Sequence, residues 1–176
     1  MTTTGSRAHN SEQTISETDS DFHFRDGLTT DALAISQLIS QFAPDFWVNP
    51  DGSGADLFLQ SVSESAEFSY LTDSRYHFIL AWHGETLAGF IAMRDLRHLF
   101  HLFVNPSFQR QKLASTLWQH ARQYAAAQGH AGSFTVNSSL NAIPVYERFG
   151  FQAKDEVVEM HGIAFLSMQT PIAHHL

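Results

Sequence analysis

The sequence predicts a single α/β domain built on a mixed sheet, and three observations support this prediction. Apolar runs of strand length alternate with segments of helical period along the chain. The 176 residues, 43% of them hydrophobic, are enough for one domain with its own core. No internal repeat divides the chain. We expect this domain to span residues 21–176, after a disordered polar tail at residues 1–20 that is too poor in apolar residues to fold.

The first half of the domain is predicted to contain a strand, two helices and a hairpin. Phe22–Gly27 alternates apolar and polar residues, as a half-buried strand does. Thr29 or Thr30 can then cap a helix, and Ala55–Val62 predicts a second, shorter one. Two apolar runs on either side of His83–Glu85 predict the hairpin.

The second half alternates strands and helices. Arg97–Val104 is an apolar run that ends before Asn105-Pro106, because the residue preceding a proline favours extended backbone. The remaining predicted elements are a helix from Arg110 to Gly129, a strand at Gly132–Asn137, a helix ended by Gly150, a strand restarting at Phe151 and a hairpin turning at His161–Gly162. This order predicts strands of both directions in one sheet.

Composition excludes several classes of function. The formal net charge of -8 argues against binding to nucleic-acid phosphates and weakly favours an amine-bearing partner. Because there is no cysteine, disulfides, thiolate metal sites and a cysteine nucleophile are excluded. The absence of a Gly-x-Ser-x-Gly motif argues against a hydrolase. Without a signal peptide or a long apolar run, we expect a cytoplasmic protein that binds neither metal nor membrane.

The distribution of carboxylates points to one anion site. The chain has 18 acidic residues, yet none lies between Asp95 and Glu147. The same interval holds Arg97, Arg110, Lys112 and Arg122. It is centred on a strand-to-helix turn, where free N–H groups and the helix dipole favour an anion. The backbone of residues 109–114 could therefore cradle phosphates, although an ordinary helix with a basic exposed face explains the pattern equally well.

Two motifs resemble those of the GNAT superfamily of N-acyltransferases. "FVNPSFQRQKLASTLW" resembles the family's acyl-CoA-binding motif and "NSSLNAIPVYERFGF" its second motif, in the family's element order over Phe22–Met168. The resemblance implies the GNAT fold, a central mixed sheet flanked by about four helices. It also implies transfer of an acetyl group from acetyl-CoA to a primary amine of a small molecule or peptide by direct attack. A homodimer is compatible with it.

The resemblance also assigns residues to roles. Main-chain groups of Leu102, Phe103 and Val104 would hold the pantetheine arm and polarise the thioester. Tyr146 takes the general-acid position, and Asn141 either holds the cofactor arm or caps a helix. The turn for the pyrophosphate comprises Gln109, Arg110, Gln111, Lys112, Leu113, Ala114 and Ser115. Lys112 stands where the family has glycine, which leaves a catalytically silent acyl-CoA-binding regulatory module as the alternative.

The general base and the acceptor are left open by the sequence. The family often uses a glutamate on the central strand, and this chain offers His98 and His101 there instead. Residues three apart on a strand face opposite sides, so only one histidine would face the acceptor unless a bulge intervenes. A water chain from Glu67 or Asp73 is the other option. Aromatic and acidic residues that would suit a cationic amine, or simply fill the core, are Phe42, Phe46, Trp47, Phe58, Asp45 and Asp51.

Overall fold

The computed structural model describes residues 21–171, which form an eight-stranded mixed sheet with helices on both faces. The predicted mixed α/β fold is therefore confirmed, with five α-helices. The predicted tail at residues 1–20 and the last five residues of the predicted domain lie outside the described part. The strands are β1 (His23–Asp26), β2 (Tyr76–His83), β3 (Thr86–Arg94), β4 (His98–Val104), β5 (Thr135–Ser138), β6 (Gln152–Ala153), β7 (Val158–Met160) and β8 (Ile163–Gln169). The helices are α1 (Ala32–Ser40), α2 (Asp56–Ser61), α3 (Glu64–Thr72), α4 (Leu113–Ala127) and α5 (Ile143–Arg148).

The strands are ordered β1-β2-β3-β4-β5-β8-β6, and β7 pairs with β8 beside this path. Every neighbouring pair is antiparallel except β4 and β5. This single parallel pair has α4 as its crossover connection, as parallel strands require. The crossover lies in the middle of the sheet and brings the start of α4 next to the end of β4.

The sheet separates two hydrophobic cores. Alternation along β3 directs Phe90 and Ala92 to one face, where they pack with α1, and Ile91 and Met93 to the other, where they pack with α4. Both faces of the central strand are thus covered. This explains why β3 is a nearly continuous apolar run, which sequence periodicity alone does not distinguish from a buried helix.

The beginning of α1 differs from the prediction. Thr29 and Thr30 lie in a short 3-10 turn (Thr29–Asp31), and neither hydroxyl caps the helix. The carboxylate of Asp31 instead accepts a bond from the N–H of Leu28 at 2.7 Å and pairs with the guanidinium of Arg25 at 2.8 and 2.9 Å. The charged pair ties the 3-10 turn to β1, and the N–H groups of Asp31 and Ala32 donate to main-chain carbonyls of that turn rather than to a threonine hydroxyl.

Helix α3 was not predicted, because its pattern is the reverse of an amphipathic helix. It buries Glu67 completely and leaves Phe68 51% exposed. The helix begins at Ser63, whose hydroxyl accepts a hydrogen bond from the N–H of Ala66 at 3.3 Å. A buried carboxylate flanked by an exposed phenylalanine obscures the helical period.

The β7–β8 hairpin is clamped to the connection between α1 and α2. His161 and Gly162 have φ values of 51° and 72°, as a two-residue type I′ turn requires. The carbonyl of Gly162 accepts a hydrogen bond from the N–H of Val48 at 2.9 Å. A Cβ atom on Gly162 would lie 2.4 Å from the carbonyl carbon of Gly54. The close approach of Gly162 to Gly54 is therefore possible only because position 162 has no side chain.

We expect Gly162→Ala to destabilise the protein by about 2–4 kcal/mol, because backbone strain and a clash with main-chain atoms combine there. Gly84→Ala is the matched control, since Gly84 also has a positive φ (57°) but no atom lies within 4 Å of its missing Cβ. The control should lose about 1–2 kcal/mol, the conformational strain alone. Urea unfolding of both variants measures the difference, and equal losses would disprove the close contact.

Candidate functional site

The sheet opens between β4 and β5. These strands pair at only two positions, His98 with Thr135 and Leu99 with Val136, and separate beyond them. A cleft of about 860 Å³ fills the opening and extends to the start of α4, to α5 and to the connection between α1 and α2. Within residues 21–171 this is the only parallel pair of the sheet, so the opening lies where two neighbouring strands run in the same direction and α4 connects them.

The open edge of β4 offers free main-chain groups. Asn105 donates its N–H to a β3 carbonyl at 2.8 Å, and hydrogen-bonded pairs alternate along antiparallel strands. The main-chain groups of Phe103 therefore point towards β3, whereas those of Leu102 and Val104 point into the cleft. The side chain of Gln109 donates to the Val104 carbonyl at 3.3 Å, in agreement with this direction. Of the three residues predicted here, Phe103 lines the cleft with its ring instead.

A β-bulge places both candidate histidines on one face. Ala92 faces His101 and Met93 faces Leu99, which leaves Phe100 as an extra residue on β4. His98 and His101 consequently lie on the same side of the sheet, and both line the cleft. The sequence predicted opposite faces unless a bulge intervened, and the bulge does intervene.

His98 lies at the end of the cleft where β4 and β5 are still paired. Its Nδ1 lies 2.8 Å from Oγ1 of Thr135, the residue opposite it on β5. Burial, helped by the nearby charge of Arg94, lowers the pKa of His98 to about 4. The ring is therefore neutral at physiological pH and binds a proton poorly.

His101 pairs with a buried carboxylate. Its Nε2 lies 3.0 Å from Oε1 of Glu67 on α3, and the two side chains are 8% and 0% exposed. The second carboxylate oxygen of Glu67 is buried and has no hydrogen-bond partner among the described residues. Asp73, the other carboxylate considered from the sequence, instead pairs with Arg75 at 2.6 Å and does not line the cleft.

Tyr146 reaches the cleft from α5. It is 6% exposed, packs edge-on against Phe149 and Phe151, and lines the cleft. Burial raises the pKa of Tyr146, so the phenol keeps its proton at physiological pH. The exposed Asn141 also lines the cleft, but α5 begins after Ala142 and has no side-chain cap. Asn141 therefore does not cap this helix.

The turn before α4 explains why glycine would suit position 112. Arg110 and Lys112 have left-handed backbones, with φ values of 63° and 61°. This backbone delays the start of α4 to Leu113, three residues after the predicted start. The N–H groups of Leu113, Ala114 and Ser115 form the first turn, which contains no acidic residue. Cationic side chains that also line the cleft here are Arg110, Lys112 and Arg148.

The opposite end of the cleft is aromatic. Of the residues considered from the sequence, Phe42, Phe46, Phe58 and Asp45 line it. Trp47 instead packs against Gly52, and Asp51 accepts a hydrogen bond from the N–H of Ser53 at 2.9 Å.

The sequence missed several residues of the cleft. Arg148 and Phe165 line it because α5 and β8 border the opening, which the linear spacing did not indicate. Phe100 enters it through the bulge. A bulge needs only one extra residue in a strand, so the sequence gives no signal for the position of Phe100. The pairing of Glu67 with His101 joins two distant segments, and the sequence gives no signal for it either.

No helix within residues 21–171 is both long and apolar enough to span a membrane. Nor does the range contain three or more His, Asp or Glu side chains grouped to hold a metal ion.

Comparison with known proteins gives one family. The model of the acetyltransferase (GNAT) domain matches residues 48–171. A GCN5-related N-acetyltransferase from Rhodopseudomonas palustris has a TM-score of 0.68 at 22% identity, over 85% of this chain and 94% of the other. PaiA N-acetyltransferase from Thermoplasma acidophilum, in complex with coenzyme A, has a TM-score of 0.68 at 15% identity, over 85% and 98%. No curated protein sequence matches the chain.

The ribosomal-protein-S18-alanine N-acetyltransferase from Escherichia coli has a TM-score of 0.62 at 20% identity, over 88% of this chain and 96% of the other. At these identities the structures establish the shared fold, and the match of the family model, which spans most of the chain, establishes the family. The chain belongs to the GNAT acetyltransferases.

Proposed function

We propose that the cleft transfers an acetyl group from acetyl-CoA to the primary amine of a small molecule or peptide. The supporting observation is that one opening brings together the anion-binding turn, the free edge of β4 and the phenol of Tyr146. Acetyl-CoA supplies a thioester: the amine nitrogen bonds to its acyl carbon, the carbon–sulfur bond breaks, and coenzyme A leaves as a thiol.

The donor side fits a pyrophosphate and an extended arm. First-turn N–H groups of α4 and the side chains of Arg110 and Lys112 suit the phosphates. The main-chain groups of Leu102 and the N–H of Val104, which no neighbouring strand pairs, suit the amide-bearing arm, with Asn141 beside it. An N–H from this edge can also stabilise negative charge on the acyl oxygen, an effect worth roughly 3 kcal/mol per donor in other enzymes.

Lys112 does not argue for a catalytically silent module. Glycine suits this position because the backbone is left-handed, and Lys112 adopts that backbone with a φ of 61°. Its side chain is exposed at the cleft, where an ammonium favours a phosphate. Lysine in place of glycine at position 112 therefore strains the backbone and adds a positive charge.

His101 is the better base of the two histidines. A general base works best when its pKa lies near the operating pH, and the pKa of His98 is about 4. The Thr135 contact gives His98 a structural role instead. On the leaving-group side, the protonated phenol of Tyr146 can donate to the departing sulfur.

The acceptor end favours an amine with an apolar part. Phe42, Phe46 and Phe58 supply aromatic surface, and Asp45 is the only carboxylate among the described residues that line the cleft. A cationic amine approaching its reaction site can be attracted by that carboxylate and by the faces of the rings.

Tyr146→Phe should lower kcat about 100-fold or more, because general-acid catalysis typically contributes that much, and should leave the Kd for coenzyme A nearly unchanged. Thiol release from acetyl-CoA with a panel of amines measures turnover, and calorimetry measures binding. Tyr124→Phe is the control, since Tyr124 stacks on His77 away from the cleft. Full turnover by Tyr146→Phe would exclude the phenol as the acid.

His101→Asn should reduce kcat at least about 100-fold through loss of the base. His98→Asn should change kcat by less than about threefold but lower the unfolding free energy by about 1 kcal/mol, the usual value of one hydrogen bond. The same thiol assay and urea unfolding test both variants. If only His98→Asn impairs turnover, the two assignments are reversed.

Lys112→Gly should stabilise the fold by about 0.5–1 kcal/mol by relieving the left-handed backbone. It should also weaken coenzyme A binding roughly fivefold, because a phosphate loses a charged partner. Lys112→Asn separates the effects, since asparagine tolerates this backbone and lacks the charge. Calorimetry that finds tighter binding in Lys112→Gly than in the native protein would show that the lysine obstructs the phosphate.

A further inference from the structure

Glu67 is a buried carboxylate for which packing alone gives no reason. It is 0% exposed in the core beneath the cleft, and its second oxygen has no hydrogen-bond partner in the described structure. Burying an ionisable group with unmet hydrogen-bonding capacity destabilises a fold, and an apolar side chain of similar volume would often do better. The one side-chain hydrogen bond that Glu67 makes among the described residues, to His101, therefore indicates its role.

The contact determines which ring nitrogen of His101 can accept a proton. Nε2 lies 3.0 Å from the carboxylate, so an ionised Glu67 requires a proton on Nε2. In the neutral ring the lone pair then belongs to Nδ1. No group among the described residues forms a hydrogen bond with Nδ1. Nδ1 is nevertheless not fully buried. Because His101 lines the cleft, Nδ1 is the nitrogen open to it.

We propose that Glu67 is a positioning residue that holds His101 in the Nε2–H tautomer, with the Nδ1 lone pair directed at the acceptor amine. This role rests on the proposed function of His101 as the base. In the transfer step an N–H bond of the amine breaks and Nδ1 gains the proton. The ring then carries one positive charge, which lies beside the Glu67 carboxylate until the proton leaves to solvent.

The position of Glu67 on α3 suits this role. A helix fixes its Cα more firmly than a loop does, and Ser63 caps the helix one turn before Glu67. Around the imidazole, Phe78, Phe90 and Phe103 lie within 6.4 Å between ring centroids and leave little room for the ring to rotate. Packing thus restrains the plane of the ring, and the carboxylate selects its tautomer.

Nitrogen NMR of the whole protein with ¹⁵N-labelled histidine tests the tautomer without any acceptor. The His101 signal is assigned by its loss in His101→Asn. We expect the Nε2-protonated pattern in the native protein and a mixture of tautomers in Glu67→Gln, because an amide can either accept from Nε2 or donate to it. Glu64→Gln, an exposed site on the same helix, should keep the native pattern.

Steady-state kinetics test whether the tautomer of His101 affects turnover. Glu67→Gln should lower kcat about tenfold or more and leave the KM for acetyl-CoA within about twofold, while Glu64→Gln changes neither. A merely structural carboxylate would change thermal stability without altering the tautomer. An Nδ1-protonated native ring, or a Glu67→Gln variant with native tautomer and kcat, overturns the proposal.

The role of His101 as the base and the positioning role of Glu67 can be rejected separately. Full turnover by His101→Asn would reject His101 as the base, and the positioning role with it, even if the tautomer is the expected one. A wrong tautomer together with an inactive His101→Asn would reject only the role of Glu67.

Discussion

The separation of β4 from β5 beyond Leu99 is the constraint on which the whole site depends. Each strand keeps its partner on the outer side, β3 for β4 and β8 for β5, so the sheet divides without either half losing its support. The cost is a row of main-chain groups at the inner edge that strand pairing leaves open, and such groups need other partners, as the Val104 carbonyl finds in Gln109. In the proposed function, the amide groups of the coenzyme A arm are the partners that this edge suits.

The two cores give the opening two chemically different ends. On the face covered by α4, the cleft meets a helix entrance with cations and no carboxylate nearby. On the face covered by α1 and α3, it meets aromatic rings, the carboxylate of Asp45 and the guanidinium of Arg94. Because the sheet lies between them, the proposed reaction has donor and acceptor approach from opposite sides and meet at β4. The bulge at Phe100 places His101 on the acceptor side of that strand.

Much of this arrangement could be predicted from the sequence. Strong local signals, such as Asn105-Pro106 after an apolar run and Gly150 after a short helix, gave nearly correct boundaries. The carboxylate-free interval predicted the turn before α4 as an anion site, but it did not predict the left-handed backbone of Arg110 and Lys112. The failures have a common physical origin: α3, the bulge and the pairing of Glu67 with His101 follow from tertiary contacts that override local pattern. Thr29 and Thr30 failed as caps because they lie in a 3-10 turn before α1, which the pairing of Asp31 with Arg25 ties to β1.

The bond between Val48 and Gly162 has a consequence for how the protein acquires its specificity. It joins segments from opposite halves of the chain, so loop closure must precede it, and such non-local contacts form late and slowly. The donor side rests on more local structure, since the turn and α4 directly follow β4. In the proposed function, the acceptor wall is thus completed by a contact between distant parts of the chain, whereas the donor turn is built from segments that follow one another.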